Sequence, residues 1–296
     1  MPESSKPALD HLCELLELTG LREGGHAIVL NAYLDASERS SGVFCVAGLA
    51  YGFDRAKKAT REWMRLWGDT PCHMTDLHNR RGAFRDWTSE AAGDHLKQSV
   101  RIMRAHASCM VAVSCDLAEL QALLPDSSAA DSVPLLDGFR TAYAMCCHFA
   151  MATFGDMTDG GLRYHFESGD RYQAQSQQFI AHATAHEPLR QSYGYAGHAV
   201  SRKQDGRLFE TADILAWEWA KHIERMREGK GMRPSLAHLL NEPAGQFHEM
   251  RFESLKAKAM HLHGDRLALF ARKIGAILAA TTQEDVRAAM HPNASD

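Results

Sequence analysis

Five short runs rich in strand formers, spaced among helical repeats, constrain the fold of this 296-residue chain more than any other feature. They cover residues 26 to 35, 43 to 50, 108 to 115, 162 to 167 and 193 to 200. Ser40-Ser41-Gly42 separates the first two, which read as an antiparallel pair joined by a loop carrying Asp35 and Glu38. Helical spacing marks 54 to 67, with Asp54 as a candidate cap, 88 to 107 after a Trp-Thr-Ser entry, 133 to 154, about 171 to 185, and 208 to 228. A strand pair followed by helices and then by strands alternating with helices argues for a mixed sheet flanked by helices. Residues 71 to 82 read as an irregular polar connection. The α/β core is expected over 26–230, with helical extensions at 1–25 and 231–296, the latter packed on the same domain.

Composition narrows the setting. With 45% hydrophobic residues the chain can bury a sizeable core. A net charge of −4 gives no global basic signature for nucleic acid and equally does not exclude a local basic surface. Seven cysteines without a CxxC spacing predict a reduced, cytoplasmic protein. The acidic start lacks the basic, apolar character of a secretory signal, and no run approaches the roughly 20 apolar residues of a membrane span. No membrane partner is expected.

Three acids stand in apolar surroundings: Asp35 in Asn31-Ala-Tyr-Leu-Asp-Ala-Ser37, Glu167 in Tyr164-His-Phe-Glu-Ser-Gly-Asp170, and Asp213 in Glu210-Thr-Ala-Asp-Ile-Leu-Ala-Trp217. Strand alternation puts Asn31, Tyr33 and Asp35 on one face, and Arg163, His165 and Glu167 on one face of their own strand. If those strands are parallel neighbours, both carboxylates reach the same sheet edge. Asp213 sits in the middle of a helix, where aspartate is a poor choice, and needs a partner. Each acid also has an ordinary explanation. Asp35 can cap the following loop, Glu167 can be a plain strand-end acid, and Asp213 can pair with Lys203 or Arg207. A divalent cation held by all three satisfies them together.

The ordered set Tyr33-Leu-Asp-Ala-Ser37, Val43-Phe-Cys-Val-Ala-Gly48, His73-Met-Thr-Asp76, Phe166-Glu-Ser-Gly-Asp170 and Thr211-Ala-Asp-Ile-Leu-Ala216 resembles the successive motifs of the domain-of-unknown-function 3800 family over roughly residues 26 to 228. The resemblance implies a ribonuclease H-like fold, with Asp35 as the first-strand acid, Glu167 as the acid of the later parallel strand, and Asp213 as the acid of the closing helix. Where family members often carry Asp-Glu-Ser-Gly at the first motif, this chain has Asp35-Ala-Ser-Glu38. The carboxylate logic of such folds is phosphodiester hydrolysis with two divalent ions about 4 Å apart.

Oxygen-only ligands suit Mg2+ or Mn2+, and a fourth acid is expected from Asp76 or Asp170, ahead of Glu38. His73 is a candidate general acid or base. Arg80, Arg81 and Lys203 are candidates for contacting substrate phosphates. The sequence thus predicts a metal-dependent nuclease or related phosphodiesterase with nucleic acid as its partner. The alternative is a catalytically silent ribonuclease H-like module that binds nucleic acid or a protein.

Overall fold

The two faces of the first strand are both apolar enough to be covered, and in the computed structural model both are. The structure describes residues 29–123, 138–158, 161–168, 173–203, 206–240 and 256–269. Strand β1 (Leu30–Glu38) is central in a six-stranded sheet, followed by β2 (Val43–Tyr51), β3 (Cys109–Asp116), β4 (Leu162–Glu167), β5 (Tyr195–Ser201) and β6 (Lys256–Leu262). The spatial order is β5-β4-β1-β2-β3-β6. β2 is antiparallel to β1 and β3, whereas the β1–β4, β4–β5 and β3–β6 pairs are parallel. This is the mixed α/β sheet flanked by helices that the pattern of runs predicts.

Strand alternation sorts the core into two layers. On one face Tyr33, Cys45, Ala47, Leu49 and Tyr51 pack under α1 (Phe53–Trp67), α3 (Ser89–His106), α8 (Phe209–Arg227) and α9 (Pro234–Leu240). On the other, Leu34, Phe44, Val46, Tyr164 and Phe166 pack under α5 (Gly138–Met157) and α6 (Gln173–Ala185). The short helices α2 (Met74–Asn79), α4 (Leu117–Leu123) and α7 (Glu187–Ser192) complete the set. The cysteines among the described residues are buried and free, acting as small apolar side chains. No described helix is long and apolar enough to cross a membrane.

Several expectations needed correction. β1 runs on to Glu38, because pairing of Ser37 with Cys45 and Glu38 with Phe44 extends the hairpin, so Asp35 lies within a strand and not in the loop. The parallel ladder to β4 stops earlier, at Leu34 opposite Phe166. The connection at 71–82 contains α2 and a 3-10 turn over Gly82–Phe84, with Met74, Leu77 and Phe84 buried as their anchors. Gly52, not Asp54, caps α1, and Asp54 stands in its first turn. Thr88 caps α3 as expected, accepting a hydrogen bond from the Ala91 amide at 3.1 Å. Within the expected helical extension at 231–296, residues Lys256–Leu262 form a strand. Helix-compatible Lys and Ala are recruited there by the open edge of β3.

The β1–β2 hairpin is fastened to the far end of α8. Glu224 accepts hydrogen bonds from Ser41 Oγ at 2.6 Å, Lys221 Nζ at 2.8 Å and Arg39 Nε at 3.3 Å. Burial alone raises the Glu224 pKa, but these donors override it and bring it from 4.5 down to about 2. A depressed carboxyl pKa stabilises the fold above the unfolded value and loses that contribution as pH falls through the folded one. Glu224→Gln is therefore expected to be less stable than wild type at pH 7, with the gap closing between pH 4.5 and about 2, measured by denaturation midpoints across that range.

Candidate active site

Asp35 and Glu167 become neighbours because β1 and β4 pair in parallel. Leu34 stands opposite Phe166, so the next residue on each strand is an acid, and both lie on the face covered by α8. Behind them the same face stays polar. His165 Nε2 and Asn31 Oδ1 are 2.9 Å apart, and the Tyr33 ring stacks on His165 with centroids 4.5 Å apart. From α8, Asp213 faces this edge and is buried.

The three carboxylates converge on the ammonium of Lys203, which follows β5. Its Nζ is 3.0 Å from Asp35 Oδ2, 3.5 Å from Asp213 Oδ2 and 3.6 Å from Glu167 Oε2. Backbone amides complete the ring: Ala36 N–H donates to Asp35 Oδ1 at 2.8 Å, and Met74 N–H donates to Asp213 Oδ2 at 3.0 Å. Burial raises the Asp35 pKa, and the nearby charge of Asp213 adds to that, outweighing Lys203. Burial opposes the Lys203 charge, yet Asp213, Asp35 and Glu167 together hold its pKa well above the ordinary lysine value. Lys203, expected to contact substrate, thus serves as the counter-ion of the ring.

The arrangement can be tested against a divalent cation. Three carboxylates facing one ammonium leave the ring acidic, and its all-oxygen donors are those that Mg2+ and Mn2+ prefer. The spacing is that of an ammonium cage, since Mg–O bonds are about 2.1 Å long. Among the described residues no group of three or more His, Cys, Asp or Glu is poised to hold a metal as it stands. The donor chemistry fits, and occupancy by a divalent ion requires Lys203 to yield its position.

The remaining candidates are His73, Asp76, Glu38, Arg80, Arg81 and Asp170. His73 and Asp76 bracket the start of α2 and pair with each other, Nδ1 to Oδ2 at 3.4 Å, with both side chains about half exposed. Glu38 is exposed at the end of β1, and Arg80 and Arg81 are exposed after α2. His78, half-exposed on α2, has its pKa lowered by burial and then by Arg233, Arg39 and Lys221. Asp170 lies outside the described residues.

A second buried network escaped the sequence reading. Glu210, fully buried in the first turn of α8, accepts from Trp63 Nε1 at 2.7 Å and the Cys72 amide at 3.0 Å, and lies 2.6 Å from Arg207 Nε. Arg207 in turn donates to the carbonyls of Gly68 and Thr70 at 2.9 and 2.8 Å. Burial raises the Glu210 pKa, with Arg207 opposing it. The i,i+3 spacing of Arg207 and Glu210 beside an apolar helix was the available signal. This network ties the loop after α1 to α8 and so fixes the chain that presents Met74 N–H to Asp213.

No family model and no curated protein matches this chain. Among solved structures it is similar to a chain in the structure of the PCNA:RNase HII complex from Archaeoglobus fulgidus, at 13% identity, covering 72% of this chain and 87% of that one with a TM-score of 0.36.

Removing Glu210 strands the Arg207 guanidinium in the core. Glu210→Ala is expected to cost about 3–5 kcal/mol of stability, read from urea denaturation; a loss below about 1 kcal/mol would show that Arg207 finds water or another partner.

Proposed function

We propose that this protein is a metal-dependent phosphodiester hydrolase, with nucleic acid as its substrate class and a ribonuclease H-like site. One observation carries the reading: Asp35, Glu167 and Asp213, supplied by two parallel strands and a helix far apart in sequence, all face a single cation position. The cost of gathering carboxylates in a half-buried edge is large unless a cation is part of the design. The resemblance to the domain-of-unknown-function 3800 family supports the reading in the same way, because its motif acids are the residues that meet here.

Asp35, Glu167 and Asp213 would hold Mg2+ or Mn2+, which when bound supplies an acidified water and charge neutralisation at phosphorus. The rest falls to the chain's own groups. Asp35 and Asp213 are oriented by the Ala36 and Met74 amides, so their lone pairs are aimed before any ligand arrives. Lys203, released from the ring, remains beside it as a positive charge for a phosphoryl oxygen. His73, half-exposed and paired with Asp76, is the candidate for passing a proton to a leaving oxygen, one residue before the Met74 amide that meets Asp213.

The cage around Lys203 favours a second reading, in which an internal ammonium permanently takes the place of a metal and the site only binds. Two measurements separate them. Asp35→Asn and Asp213→Asn are expected to lower Mn2+-dependent cleavage of labelled DNA or RNA by at least 100-fold while the fold is kept; wild-type turnover in either variant sinks the assignment. Lys203→Met, which removes the internal cation, is expected to melt earlier than wild type without metal and to regain stability with Mn2+. If Mn2+ shifts the melting of neither protein, the binding-only reading stands.

A further inference from the structure

We propose that the cavity between α2, the first turns of α3, and Arg233 is a subsite for a backbone phosphate of a nucleic-acid strand lying across the carboxylate ring, an inference that rests on the hydrolase reading above. The cavity measures about 300 Å³. His78, Arg80 and Arg233 line it, with Ser89 as a hydroxyl partner and Met74 and Leu96 as its apolar wall, and none of its lining residues is acidic.

Its position suits a strand that passes over the ring. Met74 lines the cavity and donates its amide proton to Asp213. Trp217, one helical turn and about 6 Å beyond Asp213 along α8, lies 4.7 Å from the His78 ring and is flanked by the Arg39 and Arg233 guanidinium carbons at 4.9 and 5.0 Å. Arg233 is partly balanced by Glu218, which accepts its Nε–H at 3.0 Å. Among the described residues Arg80 has no carboxylate partner. Phosphate is the anion that a guanidinium fork, a hydroxyl and the positive end of an 18-residue helix recognise together.

Two lining positions carry residues that local structure disfavours. Arg80 adopts φ 52°, the one positive φ outside glycine among the described residues, where a glycine would rest more easily. Gly93 lies in the interior of α3, a poor helical choice, although an added Cβ would meet nothing within 4 Å. Packing asks for neither. Arg80 brings charge to the cavity lining, and the open space beside Gly93 leaves room there for a ligand.

The test is anisotropy of a short fluorescein-labelled single-stranded oligonucleotide, DNA and RNA in turn, with the full-length protein and no divalent ion, so that binding is read apart from cleavage. Arg80→Gly is expected to melt no lower than wild type, yet to bind roughly tenfold more weakly and with a salt slope smaller by about 1. Gly93→Ala is expected to keep wild-type affinity, and Gly93→Glu, which places a carboxylate in the cavity, to lose it by a similar factor. Inorganic phosphate is expected to compete for wild type less effectively than unlabelled strand. Equal affinity of wild type, Arg80→Gly and Gly93→Glu overturns the proposal, as does phosphate binding without oligonucleotide binding. Loss of binding in these variants alongside active Asp35→Asn would leave the subsite standing and remove the assignment of catalysis to the carboxylate ring.

Discussion

The parallel register of β1 against β4 is the constraint from which the candidate site follows. With Leu34 opposite Phe166 at the end of their shared ladder, the next side chain on each strand is a carboxylate on the same face. A slip of one residue would turn Glu167 into the layer under α5 and scatter the ring. The antiparallel hairpin fixes β1 on its other side, so the register is held by both neighbours.

Holding that register has an electrostatic consequence that α8 must absorb. This one helix buries Glu210, Asp213, Glu218 and Glu224, and each has a cationic partner: Arg207 and Lys203 from between β5 and α8, Arg233 from just before α9, and Arg39 from the β1–β2 turn. Buried ion pairs are weak sources of net stability, because desolvation offsets most of the attraction. Their effect is selective. Each pair joins α8 to one particular loop, so misplacing a loop leaves a charge buried without its counterpart. Stability comes chiefly from the two apolar layers, and the ion pairs specify which loops surround the site.

Much of this was legible in the sequence because alternation and helical period are local. The faces of β1 and β4 follow from counting every second residue, and Asp213 was conspicuous as an aspartate among Ile214, Leu215 and Trp217. The cation at the ring was less legible: Lys203 comes from a loop, which has no period to read. α2 is too short, at six residues, to show a repeat among polar neighbours. β6 was hidden because its Lys-Ala alternation favours helix as readily as strand, and only the open edge of β3 decides between them. Arg207 was read as a candidate partner for Asp213, and its pairing with Glu210 depends on the loop after α1, whose Gly68 and Thr70 carbonyls it also meets.

The hydrogen bond from the Met74 amide to the Asp213 carboxylate gives the cavity wall a grip on the ring. Met74 begins α2 and the carboxylate it holds belongs to the cation position, so a ligand that moves α2 alters the aim of Asp213. On the proposed reading, occupancy of the two places would be linked energetically, and linkage is reciprocal: whatever a strand would gain in affinity from a loaded ring, the ring would gain in ion affinity from a seated strand. An enzyme built this way would hold its metal weakly when idle and firmly only while engaged.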